Sequence, residues 1–156
     1  MSKFGSLSGS AEEPFRVVLL DPSTDQPIVD VNGQSAYVDV LCAQSDAGRE
    51  YDRERNSAQL RKAARGRASF DDDLFESNVA KLSRLTVGWH LVDPVDRAPL
   101  DVPCGEENAA EFYRQKLCYP FFQQVFAAAH DTGNFLTRSS KSSSPSSSMT
   151  PGSAPS

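Results

Sequence analysis

The sequence predicts an α+β fold: a small N-terminal antiparallel β-sheet, then three or four helices, then a disordered Ser-rich C-terminal tail. Three observations carry that prediction. Short β-branched runs separated by turn residues occupy about 15–43, and long stretches of helix formers with seven-residue apolar spacing follow them. From Arg138 onward, "RSSKSSSPSSSMTPGSAPS" holds no large apolar residue except Met149, so it cannot bury enough surface to offset the entropy of ordering it. The domain reading is therefore a flexible N-terminus over 1–13, one folded domain over 14–137 and a disordered tail over 138–156.

The strands fall at about 15–43. "FRVVLL" (15–20) is a β-branched run that stops at Asp21-Pro22, and "DPSTDQP" is turn chemistry, with Pro22 and Pro27 fixing φ. "IVDVNGQSAYVDVLCA" reads as two strands around Asn32-Gly33, a strong short-range hairpin signal. In it Val38, Val40 and Cys42 share one face, and Tyr37, Asp39 and Leu41 the other.

Helices are expected at about 47–67, 71–92, 105–118 and 120–131. The first, "AGREYDRERNSAQLRKAARGRA", has Ser45 or Asp46 as N-cap and no useful apolar stripe; Asp52 and Arg55 are spaced to support each other along it. The second places Phe75, Leu82 and Trp89 seven residues apart, with Asp71 to Asp73 supplying negative charge at its start and Lys81 and Arg84 on the opposite face. Trp89 would then end that helix as a core anchor, and three prolines between 93 and 103 would turn the chain into a helix–loop–helix corner. Pro120 suits the first position of the last helix, and Gly133-Asn134 its stop. The expected core anchors are Phe75, Leu82, Trp89, Phe112, Phe122 and Phe126. No internal repeat is expected.

Composition narrows the function. A net charge of −5 points to neither nucleic acid nor an anionic membrane, and no run of about 18 apolar residues provides a membrane span. No basic segment leads into an apolar stretch, so no signal peptide is expected. Cys42, Cys104 and Cys118 are isolated and odd in number, which reads as reduced thiols acting as small core residues. The two histidines, His90 and His130, fall in no metal-binding or nucleophile motif; His130 suits a helix C-terminus, and His90 is expected to point outward. Three successive aspartates diverge once helical, so Asp71 to Asp73 read as helix-terminal charge rather than a metal site. No catalytic, cofactor-binding or metal-ligating residues are assigned, and the protein is read as a non-enzyme without cofactor.

One segment does stand out. Between Arg49 and Arg67 seven basic residues face three acids, and Arg49, Arg53, Arg55, Arg61, Lys62 and Arg65 form the candidate partner-binding surface. With no interleaved aromatic apart from Tyr51, the segment reads as a docking face for an acidic or amphipathic protein segment ahead of a phosphate-contacting helix.

The order of motifs resembles a known group. "LLDPSTDQPI", "AYVDVLCAQSD", "GREYDRERNSAQLRK", "VAKLSRLTVGWHLVD", "CGEENAAEFYRQ" and "FFQQVFAAAHDTGNFL" follow one another. The series is similar to the tail assembly chaperones encoded among the tail genes of long-tailed (siphovirus-type) bacteriophages, over about Phe15 to Leu136. The matching positions are Asp21, Pro22, Ser45, Asp46, Gly88, Trp89, Glu107, Asn108, Asn134, Phe135 and Leu136. Two places depart from the pattern: Cys104 stands where the group has a Ser or Thr cap, and "TDQP" replaces a Thr-Gly turn. The resemblance implies a non-enzymatic protein of the infected host's cytoplasm that binds the tape measure protein, assists tail tube subunits and is absent from the mature virion. The alternatives are a minor tail or connector protein retained in the virion, and a nucleic-acid-associated phage protein using the basic helix 49–67.

Overall fold

The computed structural model describes residues 11–64 and 74–136. The expected tail, the first ten residues, Arg65, Arg67 and the Asp71 to Asp73 run lie outside the described residues. In chain order the elements are β1 (Phe15–Val18), β2 (Tyr37–Val40), α1 (Asp46–Ala64), α2 (Leu74–Leu85), β3 (Thr86–His90), α3 (Glu106–Arg114) and α4 (Tyr119–His130). Short 3-10 turns follow α3 at Lys116–Cys118 and α4 at Thr132–Phe135.

The α+β class holds, but the sheet is assembled differently from the expectation. Its order is β1-β2-β3, antiparallel throughout, and only two of its strands come from the N-terminal third. The third comes from 86–90, which sequence periodicity assigns to a helix running to 92. That helix ends at Leu85 and passes into β3 with no intervening loop. The β-branched pair Thr86-Val87 and Gly88 favour extended backbone, and Leu41 N–H donates to the Leu85 carbonyl at 2.8 Å, tying the junction to the end of β2. Trp89 is thus a strand residue paired with Val38. The Asn32-Gly33 turn forms, with Gly33 at φ +84°, but a single bridge, Val29 to Ser35, flanks it instead of two strands.

The alternation read along β2 is real. Val38, Val40 and Cys42 are buried, and Val17 and Leu19 join them on the face toward the helices. The opposite face is polar: Arg16 makes a two-bond contact to Asp39 at 2.9 and 3.1 Å, and its guanidinium lies 3.6 Å from the Tyr37 ring centroid. Against the inner face pack Val79, Leu82 and Leu85 of α2, Ala109 and Tyr113 of α3, and Phe122, Val125 and Ala129 of α4. Each fully buried Val, Leu or Phe side chain contributes about 1.5–3 kcal/mol, so this layer dominates the stability. Leu82 and Phe122 are therefore interior, as expected; Trp89, Phe112 and Phe126 are half-buried at its margin. Phe75 departs from the expectation: it is 37% exposed, meeting Phe122 edge-on and Tyr119 at a tilt near the surface.

Tyr113 is the largest side chain with no exposure. Its hydroxyl reaches Thr86 Oγ1 at 2.7 Å, and Thr86 in turn donates to the Leu82 carbonyl at 2.8 Å. Burial holds this phenol well above its ordinary pKa, so it stays a neutral donor. Among the described residues no buried side-chain nitrogen or oxygen lacks a partner.

Ser45 is the N-cap of α1: fully buried, it accepts from the Gly48 N–H at 3.4 Å. Glu12, which falls in the expected flexible N-terminus, accepts the Asp46 N–H at 2.8 Å and adds a second cap. At α3 the cap is Gly105, with no side-chain hydrogen bond, in keeping with a thiol at 104 that caps poorly. Pro120 occupies the first turn of α4 as expected.

The chain also carries an internal repeat, contrary to the expectation from sequence. β1 and β3 flank β2 in equivalent registers: Val17 and Trp89 both face Val38, and Arg16 and Gly88 both face Asp39. Each strand then runs into the same turn, "LLDPSTDQPI" (19–28) after β1 and "LVDPVDRAPL" (91–100) after β3. In both, the Asp N–H bonds the carbonyl five residues on (Gln26, Ala98) at 2.9 Å. The Asp carboxylate accepts the N–H two residues on, from Ser23 at 2.8 Å and Val95 at 2.7 Å. A left-handed residue sits at the same place, Asp25 at φ 58° and Arg97 at φ 64°, and a single bridge closes each turn (Leu20 to Pro27, Val92 to Pro99).

Candidate functional site

The two matched turns stand side by side and are tied together. Val31 N–H donates to the Arg97 carbonyl at 2.9 Å, and Arg97 Nη1 donates back to the Val29 carbonyl at 3.2 Å. Between them and the α3–α4 corner lies an open groove of about 470 Å³. The first turn lines it with Leu19, Pro22 and Ile28, and the second with Leu91, Val92, Pro94 and Leu100. The far wall is Phe112, Leu117 and Phe121, with Cys118 between them. At this wall the 3-10 turn Lys116–Cys118 runs directly into α4, whose first turn holds Pro120, and Leu117 in that 3-10 turn is 90% exposed. An apolar lining left open beside a satisfied interior is the usual mark of a recognition surface.

Acidic residues surround the two turns. Asp21, Asp25, Asp93, Asp96 and Asp101 stand against a single cation, Arg97, over 19–28 and 91–101. The Ser23 hydroxyl and amide hold the Asp21 carboxyl below its ordinary pKa, so it remains charged at the groove edge. Next to the groove, on the other side of Gln115, a shallower depression of about 390 Å³ is lined by Phe75, Tyr119, Arg114 and Lys116.

In the basic helix two acids turn toward α2: Asp52 pairs with Lys81 at 3.1 Å and Glu54 with Arg84 at 2.8 Å, and Arg84 holds the Glu54 carboxyl below its ordinary pKa. Asp52 therefore does not support Arg55, which donates instead to Ser77 Oγ at 2.9 Å, while the Tyr51 hydroxyl donates to the Ser77 carbonyl at 3.0 Å. Lys81 and Arg84 accordingly face α1 rather than solvent. Of the candidate surface, Arg49, Arg53, Arg61 and Lys62 are exposed along α1 and Arg55 is half-buried in the α1–α2 contact. Their spread along a 19-residue helix brings them to no common point.

His90 does not point outward. Its Nε2 lies 2.8 Å from Asp30 Oδ2, and the Asp30 side chain is 1% exposed. The other Asp30 oxygen accepts the Asn32 and Gln34 amides at 2.8 and 2.9 Å, so the pair pins the 30–34 turn to β3. The Gln34 amide is the largest influence holding the Asp30 carboxyl below its ordinary pKa, with His90 and Asn32 adding to it. His130 caps its own helix, its Nδ1 2.9 Å from the Phe126 carbonyl. Cys104 and Cys118 are half-buried free thiols, and burial pushes both pKa values up and away from the reactive thiolate. Among the described residues no group of three or more His, Cys, Asp or Glu converges as a metal site would require, and no helix is long and apolar enough to cross a membrane.

Local sequence rules miss the groove because its walls come from segments far apart in the chain. The signal that could have found it is the repeated L-(L/V)-D-P-x4-P-(I/L). Comparison with known protein families, with curated proteins and with solved structures finds no match to this chain.

Proposed function

We propose that the protein is a tail assembly chaperone of a long-tailed bacteriophage, a non-enzymatic binding protein that holds the tape measure protein soluble while tail tube subunits assemble on it. The observation that carries the reading is the open apolar groove between the matched turns, on a molecule whose polar interior is otherwise satisfied among the described residues. A long helical partner exposes apolar stripes before assembly, and a groove of this kind covers such a stripe. The motif order from Asp21-Pro22 to Asn134-Phe135-Leu136 supports the same reading.

The test is co-expression with the tape measure protein of the phage that encodes this chain. A soluble complex that co-purifies is expected, together with absence of the chain from purified virions by mass spectrometry. A tape measure protein equally soluble alone and not co-purifying refutes the proposal. Fixed stoichiometry in the virion would assign the chain to the tail structure instead.

A further inference from the structure

We propose that the groove between the turns 19–28 and 91–100 binds a cationic amphipathic helix, taking one apolar row of it against Leu100, Leu117 and Phe121 while its lysines and arginines meet the aspartates of the two turns. This rests on reading the groove as the partner site, and it deepens that reading by naming the chemistry of the segment bound. Two features set that chemistry. The lining is nearly all apolar and open to solvent, so the occupant supplies side chains of the same kind in a row. The two turns, with Asp101 beside them, carry five aspartates against one arginine, and Asp21 lines the groove itself, so the occupant's flanks are positive. An acidic partner would meet a net negative charge in the two turns.

The matched geometry gives the site two equivalent jaws. Asp21 and Asp93 occupy the same place in each turn, each held by an N–H two residues on, so the carboxylates are set before any partner arrives. The opposite wall ends in Leu117, whose exposure of 90% makes it the side chain with most surface to cover on binding. Lys116 beside it lines the neighbouring depression with Phe75 and Tyr119.

The experiment uses the full chain and a fluorescein-labelled 18-residue helical peptide of leucine and lysine with one apolar face, read by fluorescence anisotropy. Saturable binding is expected, weakened at least tenfold in a peptide whose lysines are replaced by glutamate. Leu117→Asp is the decisive variant: the side chain is exposed, so folding is unaffected, and the change adds negative charge. Simple charge attraction predicts unchanged or tighter binding by Leu117→Asp, whereas the groove predicts a loss of at least tenfold. A second readout is alkylation of Cys118 by iodoacetamide, mapped by mass, which the peptide should slow several-fold. Unchanged affinity in Leu117→Asp, or an unprotected Cys118, overturns the inference. So does a fall in solution mass on making Leu117→Asp, because the groove would then be occupied by a second copy of this chain. Failure here, with the tape measure complex intact in the Leu117→Asp protein, would leave the chaperone reading standing and move its contact elsewhere.

Discussion

Replacing Gly48 with alanine puts helix propensity and tertiary packing in direct opposition. Gly48 lies in the first turn of α1 and is buried. On propensity alone, Gly→Ala inside a helix stabilises by about 1 kcal/mol. In the folded protein, however, an alanine Cβ at 48 would overlap the Ala43 carbonyl oxygen and fall 2.8 Å from its carbon, where ordinary contact begins at 3.4 Å. Ala43 cannot retreat freely: it is 1% exposed, and its N–H donates to the Ala129 carbonyl at 2.8 Å, joining the β2–α1 corner to α4. Relief therefore requires tilting the start of α1 or shifting the corner. The first loosens the Ser45 cap, at about 0.5–2 kcal/mol, and the second breaks the Ala43–Ala129 bond, at about 1 kcal/mol. With overpacking strain of about 1–3 kcal/mol, and the propensity gain subtracted, the expected net destabilisation is about 0.5–4 kcal/mol, centred on ~2. For a domain of this size the central value lowers Tm by roughly 8 °C. Trp89, the single tryptophan, sits in β3 with Nε1 donating to the Val102 carbonyl at 2.8 Å, so its fluorescence reports unfolding by heat or urea. A Gly48→Ala protein with equal or higher Tm would show that the close approach of α1 to Ala43 is not a feature of the folded state.

Leu82 has no exposed surface and lies at the centre of the helical layer, so Leu82→Ala should cost about 2–5 kcal/mol in urea unfolding. Gly105 caps α3 in extended backbone with no side-chain bond, and the space a Cβ would take there is open to 4 Å, so Gly105→Ser should raise stability by a few tenths of a kcal/mol (~0.3), seen as a rise of about 1 °C in Tm. For Asp30 the sign follows from a folded pKa held below the unfolded one: its stabilising effect is complete above the ordinary carboxylate pKa of about 3.9 and is lost as pH falls through the lower, folded value. Asp30→Asn should therefore flatten the acid limb of a stability–pH profile, and an unaltered limb would mean that the Asp30 contacts to Gln34, His90 and Asn32 together contribute nothing.

Much of the fold was legible where sequence-local rules decide it. Alternation placed Val38, Val40 and Cys42 inside, Ser45 announced α1, and Pro120 announced α4. The reading of Phe75, Leu82 and Trp89 as one helical stripe fails at its two ends: Phe75 lies at the surface and Trp89 in a strand. Seven-residue spacing extends the helix through Trp89, because Leu85 ends it without a turn residue and the bulge at Val87 lets Thr86 and Trp89 both face inward. Side chains whose partners are remote in sequence could not be placed. His90 meets Asp30 sixty positions away, and Lys81 meets Asp52 across two helices. The groove lies furthest from local rules, since it exists only once β3 brings the second Asp-Pro turn beside the first.

Placing β3 so late in the chain has a consequence for synthesis. Val38 finds Val17 soon after both leave the ribosome, but Trp89 emerges only after α1 and α2 have been made. At about 5–20 residues per second, the far side of β2 stays without its hydrogen-bonding neighbour for several seconds. That interval is when a nascent chain of this kind is most open to pairing with another copy, and the charged surface of α1 is already in place to keep such copies apart.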